Sequence, residues 1–482
     1  MYTPLLGRRL LDRANARDGR DRTPAEFFVE EFHRLVFDDD DYLMPAGNSK
    51  FGQLVNNRKK NQAAAEREGR AWDEAEWARL RTEALADFHA VAAEATEPQS
   101  HLVLGGYARG TEGTTSGQVT AVDHAAGADE VYLSWIGAAA GVGVSGGLVL
   151  LVDHDAVLDA VYEGWTLYRR VLTETPGLKA NQLETWNGQW LRHRFSPRYD
   201  PADPARFVTT DPDVINSKKT PSQLATVPWA RLLFALGHGL DADTMPAYVY
   251  STGQTNTTVG FVGLHLGATG QVRRSYRTLR DQYRALFGDA VEAVQPADLD
   301  TVYDAGRGFV WACAEGTVGL RALQPRKLRD FLPGGTKDRR PKPVGPADAQ
   351  TPLLYQTWIH AMLGDKQTAL YDRARQTAER FLAFETGAIG GKTNLKKSVK
   401  EALKASSIET FVAGLTQIAD DVQDSSKADL SDAEVAETLG MLDGLVRDAL
   451  DLDYERFRLF LALLRFQVAL LRGQRDHAAQ TA

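Results

Sequence analysis

The stretch WIGAAAGVGVSGGLVLLVDHD, residues 135–155, decides how the first half of this chain is read. It spells G-x-G-x-x-G at Gly141, Gly143 and Gly146. A dinucleotide fingerprint needs a strand before the glycines, a helix directly after them to receive the pyrophosphate, and an acidic residue about twenty positions on. Here the glycines are followed by LVLLVD, an aliphatic run with the chemistry of a strand, and Asp153 comes too early. The segment therefore reads as a glycine-rich strand pair or a close-packed turn.

Around it, the runs HLVLGGYA, GQVTAVDH and EVYLSWIGAA are short, apolar or β-branched and separated by glycine, and they read as further strands. AVLDAVYEGWTLYRRVL comes next, with Val157, Val161, Trp165, Tyr168 and Val171 at helical spacing. AYVYSTGQTNTTVGFVGLHLG reads as a hairpin about Gly253 to Thr258.

Upstream, AEFFVEEFHRLVF has a helix start signal, with Thr23 as N-cap and Pro24 at the first helical position, and Asp38 to Asp41 end it. Trp77, Leu80, Ala84, Phe88 and Val91 mark another helix, and KFGQLVNNRKKNQ between the two reads as a polar, basic connection. After Pro352, segments near 367–384, 407–422, 431–450 and 454–471 each carry one apolar face, and Ser431 with Glu434 has capping-box spacing. Four such helices suggest a bundle. The expected fold class is α+β: a helical segment at 1–98, a mixed α/β body with basic loops at 99–350, and a C-terminal helical bundle at 351–482.

A chain of 482 residues, 43% hydrophobic and 25% charged, has the composition of a folded globular protein of two or three domains. Its single cysteine, Cys313, excludes an internal disulfide and any multi-cysteine metal site. MYTPLLGRRLLDRANARDGRDR lacks the apolar core of a signal peptide. Tyr454 to Leu471 is interrupted by Arg456, Arg458, Arg465 and Gln467 and reads as a buried helix, not a membrane span. The expectation is a cytoplasmic protein with no membrane contact.

The net charge of −8 conceals an uneven distribution. Between Arg192 and Lys404 there are about 30 Lys and Arg against about 21 Asp and Glu, so the middle is basic and the flanks are acidic. In VRRSYRTLRDQYRALFG, Tyr276, Leu279, Tyr283 and Phe287 form an apolar stripe, and Arg273, Arg277, Arg280 and Arg284 form another about a quarter turn away. With Arg274, that helix can pack and present cations at once. Further basic groups are Lys218 and Lys219; Arg326, Lys327, Arg329, Lys337, Arg339 and Arg340 in a proline- and glycine-rich segment; and Lys392, Lys396, Lys397 and Lys400. Each alone reads equally as a solvated surface. Together they suit an anionic polymer, because phosphate neutralisation depends on summed, clustered charge.

Other candidates are thinner. ARGTEGTTSGQ, residues 108–118, could cradle a phosphate but lacks the G-K-[ST] ending of a P-loop. Asp153, His154 and Asp155 sit at a strand end without a nucleophile or third metal ligand, and Glu30, Glu31 and His33 offer two ligands at most. His193, His238, His265 and His360 show no metal-binding spacing, and Cys313 lies in an apolar run that disfavours a thiolate. Trp186 and Trp190 share a helix face and read as core, with Asn187, Gln189, Arg192 and Arg194 placed either for structure or for a nucleic-acid strand. No catalytic residue, metal or cofactor is expected.

In layout, a mixed body with basic and glycine-rich loops between 101 and 350 followed by a helical bundle at 353–471, the chain resembles the large subunit of type I CRISPR surveillance complexes. The resemblance is architectural and transfers no individual recognition residue. It implies a nucleic-acid-binding, non-catalytic subunit of a multiprotein RNA-guided antiviral defence complex, with DNA, guide RNA and other protein subunits as partners. Two other readings remain open: an enzyme acting on a nucleotide or phosphorylated small molecule through the glycine segments, Asp153 and Asp155, and a protein-interaction scaffold.

Overall fold

The structure, a computed structural model, describes residues 2–46, 49–96, 102–104, 126–251, 257–287, 299, 303–305, 308–314, 316–325, 350–363, 367–389, 393–424 and 430–481. These form two compact units, Met1–Leu266 with Gly308–Val318 and Gly267–Arg307 with Gly319–Ala482. The architecture is α+β, with many helices, a small sheet and a helical C-terminal region.

The first unit opens with α1 (Tyr2–Asp18) and α2 (Pro24–Phe27), which passes through a π-helical turn (Phe28–Phe32) into α3 (His33–Val36). The local signals act as read: the Thr23 hydroxyl accepts from the Glu26 amide, the Glu26 carboxylate accepts from the Thr23 amide, and Pro24 begins the helix. The segment KFGQLVNNRKKNQ is not a polar connection. It forms α4 (Lys50–Asn56) and the start of α5 (Arg58–Arg67), and Phe51 is buried against the rings of Phe37, Phe88 and Trp135. Two apolar residues three apart, Phe51 and Leu54, are enough to seat a single turn among surrounding polar side chains.

After α6 (Glu74–Ala93), the run EVYLSWIGAA is helical, not a strand: it belongs to α7 (Ala128–Ala139), whose start is fixed by the Glu130 carboxylate accepting from the Gly127 amide at 3.0 Å. Every residue from Val131 to Ala139 is buried, so no polar face reveals the 3.6-residue period. An apolar run of that kind does not distinguish strand from helix. Helix α1 packs along α7, with Gly7 against the Leu133 backbone and Gly137 against the Thr3 backbone.

The glycine stretch then forms a hairpin of β1 (Val142–Val144) and β2 (Leu148–Val152), turned by Gly146 and Gly147 at φ +104° and +73°. The next helix, α8 (Asp155–Glu174), comes after the second strand, not after the glycines. Next come α9 (Leu183–Arg194), α10 (Phe207–Thr210), a small hairpin of β3 (Ile215–Asn216) and β4 (Gln223–Leu224), and α11 (Trp229–Gly239). The expected second hairpin is present as β5 (Thr244–Ser251) and β6 (Thr257–His265), while the residues between them at 252–256 lie outside the described residues. With β8 (Thr317–Val318), preceded by the short α13 (Phe309–Ala314), they complete a sheet ordered β1-β2-β5-β6-β8 in which only β8 pairs in parallel. GQVTAVDH and most of HLVLGGYA lie outside the described residues; Leu102 to Leu104 of the latter form a turn.

Among the described residues, the second unit comprises α12 (Gly267–Phe287), the strand pair β7 (Tyr303–Ala305) and β9 (Leu323–Pro325), and the helices α14 (Gln350–Leu363), α15 (Gln367–Thr386), α16 (Thr393–Lys404), α17 (Ile408–Gln423), α18 (Asp432–Leu450) and α19 (Tyr454–Thr481). Helix α14 packs against both α12 and α19, α15 against α19, and α16 and α18 each against α17. The arginine-striped helix thus belongs with the bundle, across the division expected near residue 350. Arg465 of α19 is buried and donates to the carbonyls of Leu403 and Ala405 at 2.6 and 2.8 Å, satisfying open acceptors at the C-terminal end of α16. Among the described residues, no helix is long and apolar enough to cross a membrane.

Candidate functional site

Helix α12 buries the apolar face its sequence predicts, but only part of the expected arginine stripe is exposed. Val272, Tyr276, Leu279 and Tyr283 are buried, and Ser275 meets His360 of α14 at 2.9 Å, fixing the rotation of the helix against the bundle. That rotation turns Arg274, Arg277 and Arg284 outward, where they are exposed and carry no ion pair among the described residues. The other two stripe members differ. Arg280 is half-buried with its guanidinium 3.4 Å from Asp281, and Arg273 is half-buried with Nε withdrawn from solvent.

Helix α16 repeats the arrangement with ammonium groups. Leu395, Val399, Ala402 and Leu403 face the core, and Ser398 donates to the buried Asp421 carboxylate of α17 at 2.5 Å. Lys396, Lys397 and Lys400 stand exposed without an ion pair among the described residues. Lys404 extends the same face and pairs with Glu401 at 2.7 Å; that hydrogen bond, with Lys400 and Lys397 nearby, holds the Glu401 carboxyl below its ordinary range. Lys404 is an addition to the residues singled out from the sequence, and its spacing of four from Lys400 is the signal that marks it.

Lys218 and Lys219 are exposed at the tip of the β3–β4 hairpin, in the first unit, where the Asn216 side chain accepts from the Lys218 amide at 3.2 Å. Arg326, Lys327, Arg329, Lys337, Arg339, Arg340 and Lys392 lie outside the described residues, as does the 108–118 glycine loop.

The remaining candidates have structural occupations. Asp153 and Asp155 face Arg9 at 3.3 and 2.6 Å, Asp155 also meets Arg13 at 2.6 Å, and Arg13 reaches Asp159, so these carboxylates clamp α1 to the start of α8. The matching four-residue spacings of Arg9 with Arg13 and of Asp155 with Asp159 are the sequence signal for that clamp. Glu30 binds Arg20, and Glu31 takes Arg22 and the Tyr162 hydroxyl. Of the aspartates after α3, Asp40 accepts from Trp77 Nε1 at 2.9 Å and from Arg58 and Arg81.

Trp186 and Trp190 are fully buried, their indole N–H groups donating to the Gly164 and Ala160 carbonyls of α8 at 2.8 and 2.6 Å. Asn187 is turned inward as well, donating to the carbonyls of Ala139 and Gly141, and Gln189 donates to Ala225. Arg192 pairs with Asp211 and Arg194 with Glu163. The two indoles, Asn187 and Gln189 are thus core, and both arginines are held by carboxylates of this chain. Burial lowers the pKa of His33 and of His193 to about 4 and raises that of Cys313 to about 11. Among the described residues, no group of three His, Cys, Asp or Glu side chains is placed to hold a metal ion.

No family model, curated protein or solved structure matches the chain.

Proposed function

We propose that this protein binds nucleic acid through the cationic faces of α12 and α16, as a non-catalytic subunit of a multiprotein RNA-guided antiviral defence complex. One observation carries the binding reading. Both helices commit an apolar face to the core and leave exposed guanidinium or ammonium groups that form no ion pair among the described residues. Elsewhere, in the clamp between α1 and α8, arginines are matched by carboxylates. Unmatched cations on well-anchored helices suit phosphate, which supplies charge without demanding a particular base.

Assignment to an RNA-guided complex rests on the layout of a mixed body followed by a helical bundle. In that role the cationic helices hold the backbone of guide RNA or target DNA, and base pairing between the two supplies the sequence reading. The test is binding of the full chain to labelled duplex DNA, single-stranded DNA and RNA over a salt series. Affinity that falls steeply with salt supports the proposal; no binding to any of the three at low salt overturns it and favours a protein-interaction scaffold.

A further inference from the structure

The turn between α18 and α19 carries a different kind of surface. Leu450 and Tyr454 are 62% and 60% exposed, while Leu452 between them is buried. The local geometry is built to hold this arrangement. Asp453 caps α19 by accepting from the Arg456 amide at 2.8 Å, and Arg458, one turn on, lies 5.7 Å from the Tyr454 ring. Exposed leucine and tyrosine side chains four residues apart, across one turn, are residue types that seat in a partner's apolar pocket, tyrosine especially.

Their surroundings say which kind of partner. Asp451 and Glu455 are exposed next to them in sequence and form a carboxylate rim, while Asp453 between them pairs with Arg456 at 3.7 Å. The rim continues an acidic stretch: between 405 and 458 there are about 13 Asp and Glu against about 4 Lys and Arg. Some of these charges are matched from α15, by Arg380 on Glu437 and Arg373 on Asp448, but Asp420, Asp432, Asp451 and Glu455 are exposed without an ion pair among the described residues. Such a field repels phosphate, whether of nucleic acid or of an anionic lipid surface. We infer that the α18–α19 turn is a protein-docking site, in which Leu450 and Tyr454 enter an apolar pocket rimmed by lysine or arginine on another protein. This site is independent of the cationic faces of α12 and α16.

The probe is a labelled synthetic helix with one leucine stripe flanked by lysines, titrated with the full chain by fluorescence anisotropy. The wild type is expected to bind it and to ignore the same helix with glutamate in place of lysine. Leu450→Ser with Tyr454→Ser is expected to weaken binding about tenfold or more while keeping every carboxylate. Both side chains are exposed, so the fold is retained, which a thermal melt checks. Asp451→Asn with Glu455→Gln is expected to weaken binding and flatten its salt dependence. The inference is overturned if the serine variant binds as the wild type does, since charge alone then suffices, or if no lysine helix binds. Sedimentation showing a self-associated wild type and a monomeric serine variant also overturns it, because the occupant is then a second copy of this chain.

Discussion

Replacing Arg274, Arg277 and Arg284 with alanine tests the cationic face of α12 quantitatively. Six exposed cations without an ion pair among the described residues stand on the two helices: these three arginines and Lys396, Lys397 and Lys400. If each neutralises one phosphate of duplex DNA, log affinity falls against log salt with a slope of about −0.9 per contact, or about −5.4 in all. Between about 50 and about 200 mM salt the wild type then loses roughly 2,000-fold in affinity. The triple variant keeps half the contacts, so its slope is about −2.7 and its loss roughly 40-fold. On a single strand the slope per contact is about −0.7, giving about −4 and about −2. Because the three side chains lie outside the core, stability should change by no more than about 0.5 kcal/mol, so a loss of binding is not a loss of fold. The assay is anisotropy of a labelled duplex at several salt concentrations. A triple variant with the wild-type slope, or a wild type that binds without salt dependence, would falsify the assignment of α12 as a phosphate-binding face.

The packing sets four further outcomes. Gly137→Ala places a Cβ well inside van der Waals contact distance of the Thr3 carbonyl oxygen, and neither helix backbone can yield locally; the helix-propensity gain of about 1 kcal/mol is outweighed, and a melt should show a net loss of about 1–3 kcal/mol. Trp190→Phe removes the donor to the buried Ala160 carbonyl and should cost about 1–3 kcal/mol in a urea titration. His33 has a folded pKa of about 4 against an unfolded value near 6.5. The unfolded state therefore binds more protons between these values, the stability from its burial is complete above about 6.5, and it is lost as pH falls toward 4, by roughly 1–2 kcal/mol at pH 5. His33→Gln should flatten the fall in denaturation midpoint between pH 7 and pH 5. Cys313, with its thiol pushed up to about 11 by burial, should resist an aromatic disulfide reagent at pH 8 in the native protein and react in urea. Immediate reaction in the native state would place it outside the core.

Much of the helical half is legible in the sequence because its signals are local. Thr23 with Pro24 and Ser431 with Glu434 start helices in the structure as their spacing predicts, since capping involves groups three residues apart. The division of α12 into apolar and arginine faces is readable for the same reason: one side of that helix meets water, so the period is written in polarity. The glycine stretch is settled by the aliphatic strand behind it, in the place where a dinucleotide site needs a helix. Helix α7 is not readable as a helix, because burial on all sides erases the contrast that marks a period.

The candidate site divides along the same line. The sequence alone determined which residue types were gathered, a basic middle between acidic flanks, and which of them share a helical face. It could not determine which charges are free. Arg9 and Arg13 are neutralised by aspartates some 146 residues away, Arg192 and Arg194 by Asp211 and Glu163, whereas Arg274, Arg277 and Arg284 are left to solvent. Nor could it tell Leu450 and Tyr454, which face water, from the leucines and aromatics of the same helices that face the core. Spacing fixes position around a helix, but ion pairing and burial depend on which distant elements arrive beside it, and only the tertiary structure decides that.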